Sequence, residues 1–202
     1  SNIGWQYLWG GNLLVHQLLQ NPDGSLSVAL PQSVRNHYSV ERKLDSALEA
    51  YNGFDMIAES KDYHIIGGEY SSYLLHTTAT FDSEVSEFGF ALGVSSNTAN
   101  IIEVAFVPHA DKMRSAMAGQ QELCAKNIRL TPGETYDITL LVEGSTVTVY
   151  VNNSVAFTSR IRNIGNKKLA VYALGGSVTM QDFHLYTPSG YADTLAAGYG
   201  NL

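Results

Sequence analysis

Cysteine is nearly missing from this chain, and proline and charge are scarce: one Cys, five Pro and 15% Asp, Glu, Lys and Arg in 202 residues. Each shortage excludes something. Cys124 has no second cysteine to pair with, so no internal disulfide holds the fold and no cysteine-based zinc cluster can form. Twelve basic against nineteen acidic residues give a formal charge of −7, opposite to the clustered positive charge that nucleic acid demands. Arg160-Ile161-Arg162 and Asn166-Lys167-Lys168 come nearest to a basic patch, and both read as turn or edge residues. No apolar run is long enough to cross a bilayer, so membrane insertion is not expected. The phosphate loop, the dinucleotide fingerprint and the Gly-x-Ser-x-Gly elbow are all missing. Six histidines at positions 16, 37, 64, 76, 109 and 184 fall at no local zinc spacing. No cofactor or metal site is therefore expected; a metal would have to be gathered from distant residues, with calcium favoured over zinc.

What the chain does contain is β-structure. The most informative stretch runs from Tyr136 to Phe157: apolar residues alternate at Tyr136, Ile138, Leu140 and Val142, then Val147, Val149 and Val151, then Val155 and Phe157. Glu143-Gly144-Ser145 and Asn152-Asn153 break the alternation where the chain must reverse. Period-two patterning interrupted by turn residues specifies a three-stranded antiparallel meander with one buried face. Leu13–Leu19 and Ser25–Leu30 flank Asn21-Pro22-Asp23-Gly24, a second hairpin signal, and Pro31 stops the second strand. Further strands are expected at 63–66, 73–78, 88–94, 101–107, 169–174 and 178–186, punctuated by Gly, Asp, Ser and Asn. Ser39, Val40, Leu44, Leu48 and Tyr51 carry the best helical spacing, which predicts one short helix ended by Gly53. Residues 111–127 have loosely helical spacing interrupted by Gly119, and a hairpin is the preferred reading. The expected fold is all-β: a two-sheet antiparallel β-sandwich, concanavalin-like or jelly-roll, with one short helix. Residues 13–187 would form the sandwich and 188–202 a Gly-rich tail.

A family resemblance enters at Trp9-Gly10-Gly11-Asn12-Leu13, Val15-His16-Gln17-Leu18 and Asn21-Pro22-Asp23-Gly24-Ser25-Leu26. With Val142–Ser145, Val149–Asn152 and the closing Phe183–Tyr186, these runs resemble glycoside hydrolase family 32, the invertases, levanases and inulinases. The resemblance implies a β-sandwich appended to the C-terminal side of a five-bladed catalytic propeller. Residues 1–12 would then be the terminal strand of that propeller. The opening Ser1-Asn2, followed at once by Trp5, Tyr7 and Trp9, reads as a cut inside a longer protein, and the chain does not open on a signal peptide. A periplasmic or secreted setting is favoured over a cytoplasmic one.

The family's catalytic runs, Trp-x-Asn-Asp-Pro-Asn-Gly, Arg-Asp-Pro and Glu-Cys, do not occur here. Asn21-Pro22-Asp23-Gly24 has similar letters in another order, and Leu123 separates Glu122 from Cys124. Retaining hydrolysis needs two carboxyl groups about 5 Å apart across the scissile bond. The expectation is therefore a non-catalytic module that packs on and stabilises the propeller of the same polypeptide, whose parent cleaves sucrose or fructans. Trp5, Trp9 and Leu13 would lie at that junction. The alternative is a carbohydrate-binding module for fructans or other glycans. Exposed aromatic rings stack on sugar faces while acids and Arg take hydroxyls, which singles out Glu69, Tyr70 and Tyr73 on one loop and Asp111 and Arg114 after a strand end. A third comparison, with laminarinase-like enzymes of the same sandwich class, fails on phase: Asp82 and Glu84 share a face, but Glu87 is offset by one residue.

Overall fold

Alternation of apolar and polar residues becomes two stacked antiparallel sheets in the computed structural model, which describes residues 14–44, 54–57, 61, 63–95, 101–120, 122–161 and 167–190. The described strands are β1 (Gln17–Gln20), β2 (Leu26–Ala29), β3 (Val40–Arg42), β4 (Phe54–Ile57), β5 (His64–Gly67), β6 (Ser72–Phe81), β7 (Glu87–Val94) and β8 (Ile102–Val107). They continue with β9 (Lys112–Met117), β10 (Glu122–Asn127), β11 (Thr135–Glu143), β12 (Thr146–Val151), β13 (Val155–Arg160), β14 (Lys168–Leu174) and β15 (Ser177–Thr187). One sheet has the order β10-β9-β8-β7-β14-β5. The other runs β13-β12-β11-β6-β15-β3, with β4 also paired to β15, and β1-β2 stand apart as a hairpin.

The inner faces of the two sheets share one hydrophobic core. Phe88 stacks on Phe106 at 5.0 Å between ring centres, Phe81 meets Phe88 at 5.3 Å, and Tyr136 lies 6.1 Å from Phe81. These four rings come from β6, β7, β8 and β11, so they tie the two sheets together at the centre. At one edge, the buried Ser115 and Ser159 hydroxyls bond across the gap at 2.6 Å.

The meander expected from Tyr136 to Phe157 is β11-β12-β13, with Ile138 opposite Val151, Leu140 opposite Val149 and Val149 opposite Phe157. Asn152 and Asn153 turn the chain with φ of 51° and 47°, left-handed values that Asn tolerates better than most residues. The residues at 111–127 form the hairpin β9-β10. Alternation, however, understated the burial of β12, every residue of which is buried. The reason is a second layer outside the seven-stranded sheet: Leu30 and Tyr38 cover Leu74, Leu141 and Tyr150.

That layer consists of the β1-β2 hairpin and a short helix, α1 (Gln32–His37). This described helix precedes the one expected from Ser39 to Gly53. Val40–Arg42 pairs instead with the end of β15, Thr187 opposite Val40, while residues 45–53 lie outside the described region. At Val40 the helical spacing lost to strand pairing at a sheet edge. Pro31 starts α1, its carbonyl accepting from the amides of Val34 and Arg35. The hairpin itself is as read, with Gln20 opposite Leu26 and Asp23 accepting from the Ser25 amide and hydroxyl.

Two glycines separate two kinds of constraint. Gly24 reverses the hairpin at φ 85° in open space, whereas a Cβ on Gly89 of β7 would lie 2.1 Å from the Val104 carbonyl oxygen. Gly24→Ala is expected to cost about 1 kcal/mol for the left-handed backbone alone. Gly89→Ala must push β7 from β8 and should cost about 3 kcal/mol. Urea unfolding of both variants checks this; equal midpoints for the two would contradict it.

Candidate functional site

The outer face of the six-stranded sheet carries an unusual mixture. Residues directly opposite one another share a face of a sheet, and the register opposes Ala91 to Glu103, Gly89 to Ala105, Ala105 to Arg114, Glu103 to Ala116, Tyr172 to Gly89 and Glu87 to Leu174. Outward positions on β7, β8, β9 and β14 therefore include Gly89, Ala91, Ala105 and Ala116 together with Glu87, Glu103, Arg114, Tyr172 and Leu174. The small residues make a low floor. Ala91, Ala105 and Ala170 are buried with Ile101 and Tyr172, and Tyr63 packs against them from the segment before β5.

The polar groups on this floor bond to one another. Glu87 accepts from Lys61 Nζ at 2.8 Å and Tyr172 Oη at 2.8 Å through Oε1, and from Arg114 Nη2 at 2.6 Å through Oε2. Glu103, only 2% exposed, accepts from Lys61 Nζ at 2.9 Å and Tyr63 Oη at 2.5 Å through Oε1. Among the described residues its Oε2 meets only Arg114 Nη2, at 3.5 Å. Lys61 also lies 4.8 Å above the centre of the Tyr172 ring, and Tyr63 meets that ring edge-on at 5.6 Å. Two carboxylates and two cations make the network neutral.

Burial works to raise the Glu87 carboxyl, but hydrogen bonds from Lys61, Arg114 and Tyr172 outweigh it and hold the group below the ordinary glutamate range. Burial pushes the Tyr172 hydroxyl well up, with the Glu87 and Glu103 charges adding to it, and Tyr63 follows for the same reasons. Both phenols stay protonated and act as donors at neutral pH.

Of the residues chosen from sequence, Arg114 belongs to this network, but it pairs with Glu87 and Glu103 and with none of the other four. Asp111 is exposed in a left-handed turn at φ 47°, and its carbonyl accepts from the Ile128 amide. Glu69 is exposed on the β5–β6 loop, and Tyr70 is half-buried there with the Arg42 guanidinium 5.5 Å from its ring centre. Tyr73 points into the inter-sheet core, 2% exposed, so its ring offers no stacking platform. Trp5, Trp9 and Leu13 lie outside the described residues. Asp82 clamps the β6–β7 turn, accepting from the amides of Glu84 and Ser177 at 2.9 Å each. Asp82, Glu84 and Glu87 therefore do not line one strand. Lys61, Tyr63, Glu87, Glu103 and Tyr172 were missed from sequence. A signal existed: Glu103 stands alone inside Ile101-Ile102-Glu103-Val104-Ala105-Phe106, where an unpaired acid would be costly. Among the described residues no group of three or more His, Cys, Asp or Glu could hold a metal ion.

Because the folded Glu87 carboxyl is held below its unfolded value of about 4.3, its contribution to stability is complete above that pH and is lost as pH falls through the depressed value. Melting temperatures taken from about pH 6 to about pH 3 should fall more steeply for the native chain than for Glu87→Gln. Parallel curves would contradict this assignment.

Comparison with known proteins places the chain. No curated protein matches it in sequence. Among solved structures, Aspergillus kawachii β-fructofuranosidase is similar with a TM-score of 0.62 and 14% identity, over 84% of this chain and 32% of that one. The exo-inulinase of Aspergillus awamori is similar with a TM-score of 0.57 and 12% identity, over 86% and 34%. The carbohydrate-binding module CBM66 from Bacillus subtilis is similar with a TM-score of 0.60 and 7% identity, over 68% and 88%. The chain thus spans about a third of the length of the two enzymes, and at these identities the likeness is one of fold. The family model for the C-terminal part of glycosyl hydrolases family 32 matches residues 32–187, and the chain belongs to that family.

Proposed function

We propose that this chain is a non-catalytic accessory sandwich that packs, through its N-terminal hairpin, against the catalytic propeller of a family 32-like hydrolase of sucrose or fructans. One observation carries the reading. Among the described residues, seven large apolar side chains are exposed, and five of them, Val15, Leu18, Leu19, Leu26 and Val40, belong to the hairpin layer and the strand that follows it. Ser27 and Ala29 of β2 are buried against the sheet, so the alternate positions Leu18 and Leu26, 64% and 62% exposed, point the other way. Val15 also lines a cavity of about 250 Å³, with Leu14, Pro31, Ser33, Val34, Leu141 and Glu143. Large apolar side chains left exposed on one layer mark a contact with another folded body. Trp5, Trp9 and Leu13 immediately precede this strip in sequence and would extend it.

A second reading, a carbohydrate-binding module for fructans or other glycans, draws support from the polar network on the opposite sheet and from the fold shared with the Bacillus subtilis carbohydrate-binding module. The two readings use different faces and are compatible. Calorimetric titration with levan, inulin and sucrose separates them: saturable heat supports sugar binding, and flat titrations with all three leave docking alone.

Docking predicts an asymmetric response to charge on the hairpin. The double substitution Leu18→Asp with Leu26→Asp should change the stability of the chain alone by no more than about 0.5 kcal/mol, as exposed sites do. In the parent polypeptide it should lower the melting temperature of the propeller by several degrees. An unchanged propeller transition would contradict the docking role.

A further inference from the structure

We infer that the outer face of the seven-stranded sheet binds a divalent transition-metal ion, copper(II) foremost, between the imidazoles of His76 on β6 and His184 on β15. The site is independent of the docking and glycan-binding readings.

β6 and β15 are neighbours, and their register sets His184 directly opposite His76. Both side chains face away from the core, because the adjacent Leu75 and Leu185 belong to it. The ring centres stand 6.4 Å apart. Each ring is held by a carboxylate, and the two carboxylates lie on opposite flanks. β11 borders β6 on the side away from β15, and its Asp137 Oδ2 meets His76 Nε2 at 2.8 Å. β3 borders β15 on the side away from β6, and its Glu41 Oε1 meets His184 Nδ1 at 2.9 Å. The two nitrogens of an imidazole project from roughly opposite sides of the ring. With the outer nitrogen of each ring engaged, His76 Nδ1 and His184 Nε2 are turned toward the space between the two strands. Among the described residues neither has a partner.

This arrangement selects its occupant. A carboxylate only accepts, so each outer nitrogen carries the proton and each inner nitrogen presents a lone pair. Carboxylates behind the rings fix the tautomer and orientation that metal-ligating histidines use. Rings with centres 6.4 Å apart bring such nitrogens to about 4 Å from each other, twice a metal–imidazole bond of about 2.0–2.1 Å. Nearly opposed nitrogen ligands suit the tetragonal geometry of copper(II), and zinc(II) follows it in affinity. Calcium requires oxygen ligands, and an anion would face the charges of Asp137 and Glu41. The side chains of His76 and His184 are 28% and 50% exposed, so an ion can enter from solvent. No third His, Cys, Asp or Glu completes the set among the described residues, which leaves the remaining positions to water. Pairs this exposed add little to stability, so the fold does not require two histidine–carboxylate pairs set back to back.

The test is calorimetric titration of the untagged chain with copper(II), zinc(II) and calcium chlorides near neutral pH. Cys124→Ser serves as the background, because the exposed thiol is a rival ligand. One equivalent of copper should bind saturably, zinc more weakly and calcium not at all. His76→Ala and His184→Ala should each weaken copper binding at least tenfold. Asp137→Asn and Glu41→Gln, which keep the ligands but alter their support, should weaken it about tenfold. His64→Ala and His109→Ala, which lie elsewhere, should leave it unchanged. Absence of saturable copper binding overturns the proposal, as does a one-to-one site that survives His76→Ala combined with His184→Ala. Should a variant unfold, the chain with both histidines still decides. Saturating zinc shifts the imidazole nitrogen resonances of His76 and His184 if the site is here, and stationary resonances overturn it.

Discussion

Everything in this molecule depends on the contact between two sheets, and in particular on the four rings of Phe81, Phe88, Phe106 and Tyr136 at its centre. Aromatic side chains bury about 150–250 Å² each. At about 25 cal/mol per Å² that is about 4–6 kcal/mol of transfer free energy for each ring, more than any exposed ion pair supplies. With the inner faces committed to this core, the outer faces are left to do different work. Their differences follow from which residues occupy the alternate positions of the same strands.

On the seven-stranded sheet those alternate positions are partly apolar. Leu74, Leu141 and Tyr150 need cover and receive it from Leu30 and Tyr38. The covering hairpin is only two strands wide, so it must turn one face toward the sheet and the other outward. Its outward Leu18 and Leu26 pass the same problem to a further partner. On the six-stranded sheet several alternate positions are Gly and Ala, and they are covered by Tyr63, by Tyr172 and by the bonded side chains of Glu87, Glu103 and Arg114. One outer face ends in exposed apolar side chains, the other in an internally paired polar network.

Much of the architecture was legible before any coordinates. The meander from Tyr136 to Phe157 and the Asn21–Gly24 reversal were readable because strand period and turn residues are local properties of the chain. The helix was not, since Gln32–His37 has only Val34 to pack against the neighbouring layer and shows no apolar period. Val40, which does show it, was claimed by pairing with β15, a contact 147 residues away in sequence between Val40 and Thr187 that no local pattern encodes. The polar site failed for the same reason. Arg114 was chosen for its place after a strand end, but its partners come from β7 and β8, and the network also draws on β14 and on the segment before β5. Only the strand order brings these together. Tyr73 was misplaced by one step of phase: the period-two rule that located β6 also puts Tyr73 on its core side with Leu75 and Ala79.

The account centres on the hairpin layer being the covered face of an accessory module. Hydrogen–deuterium exchange across residues 14–40, in the chain alone and in the polypeptide that includes the propeller, tests this most directly. The account predicts that exchange in this segment slows markedly when the propeller is present while β7, β8 and β9 are unaffected. Equal exchange at 14–40 in the two forms would contradict it.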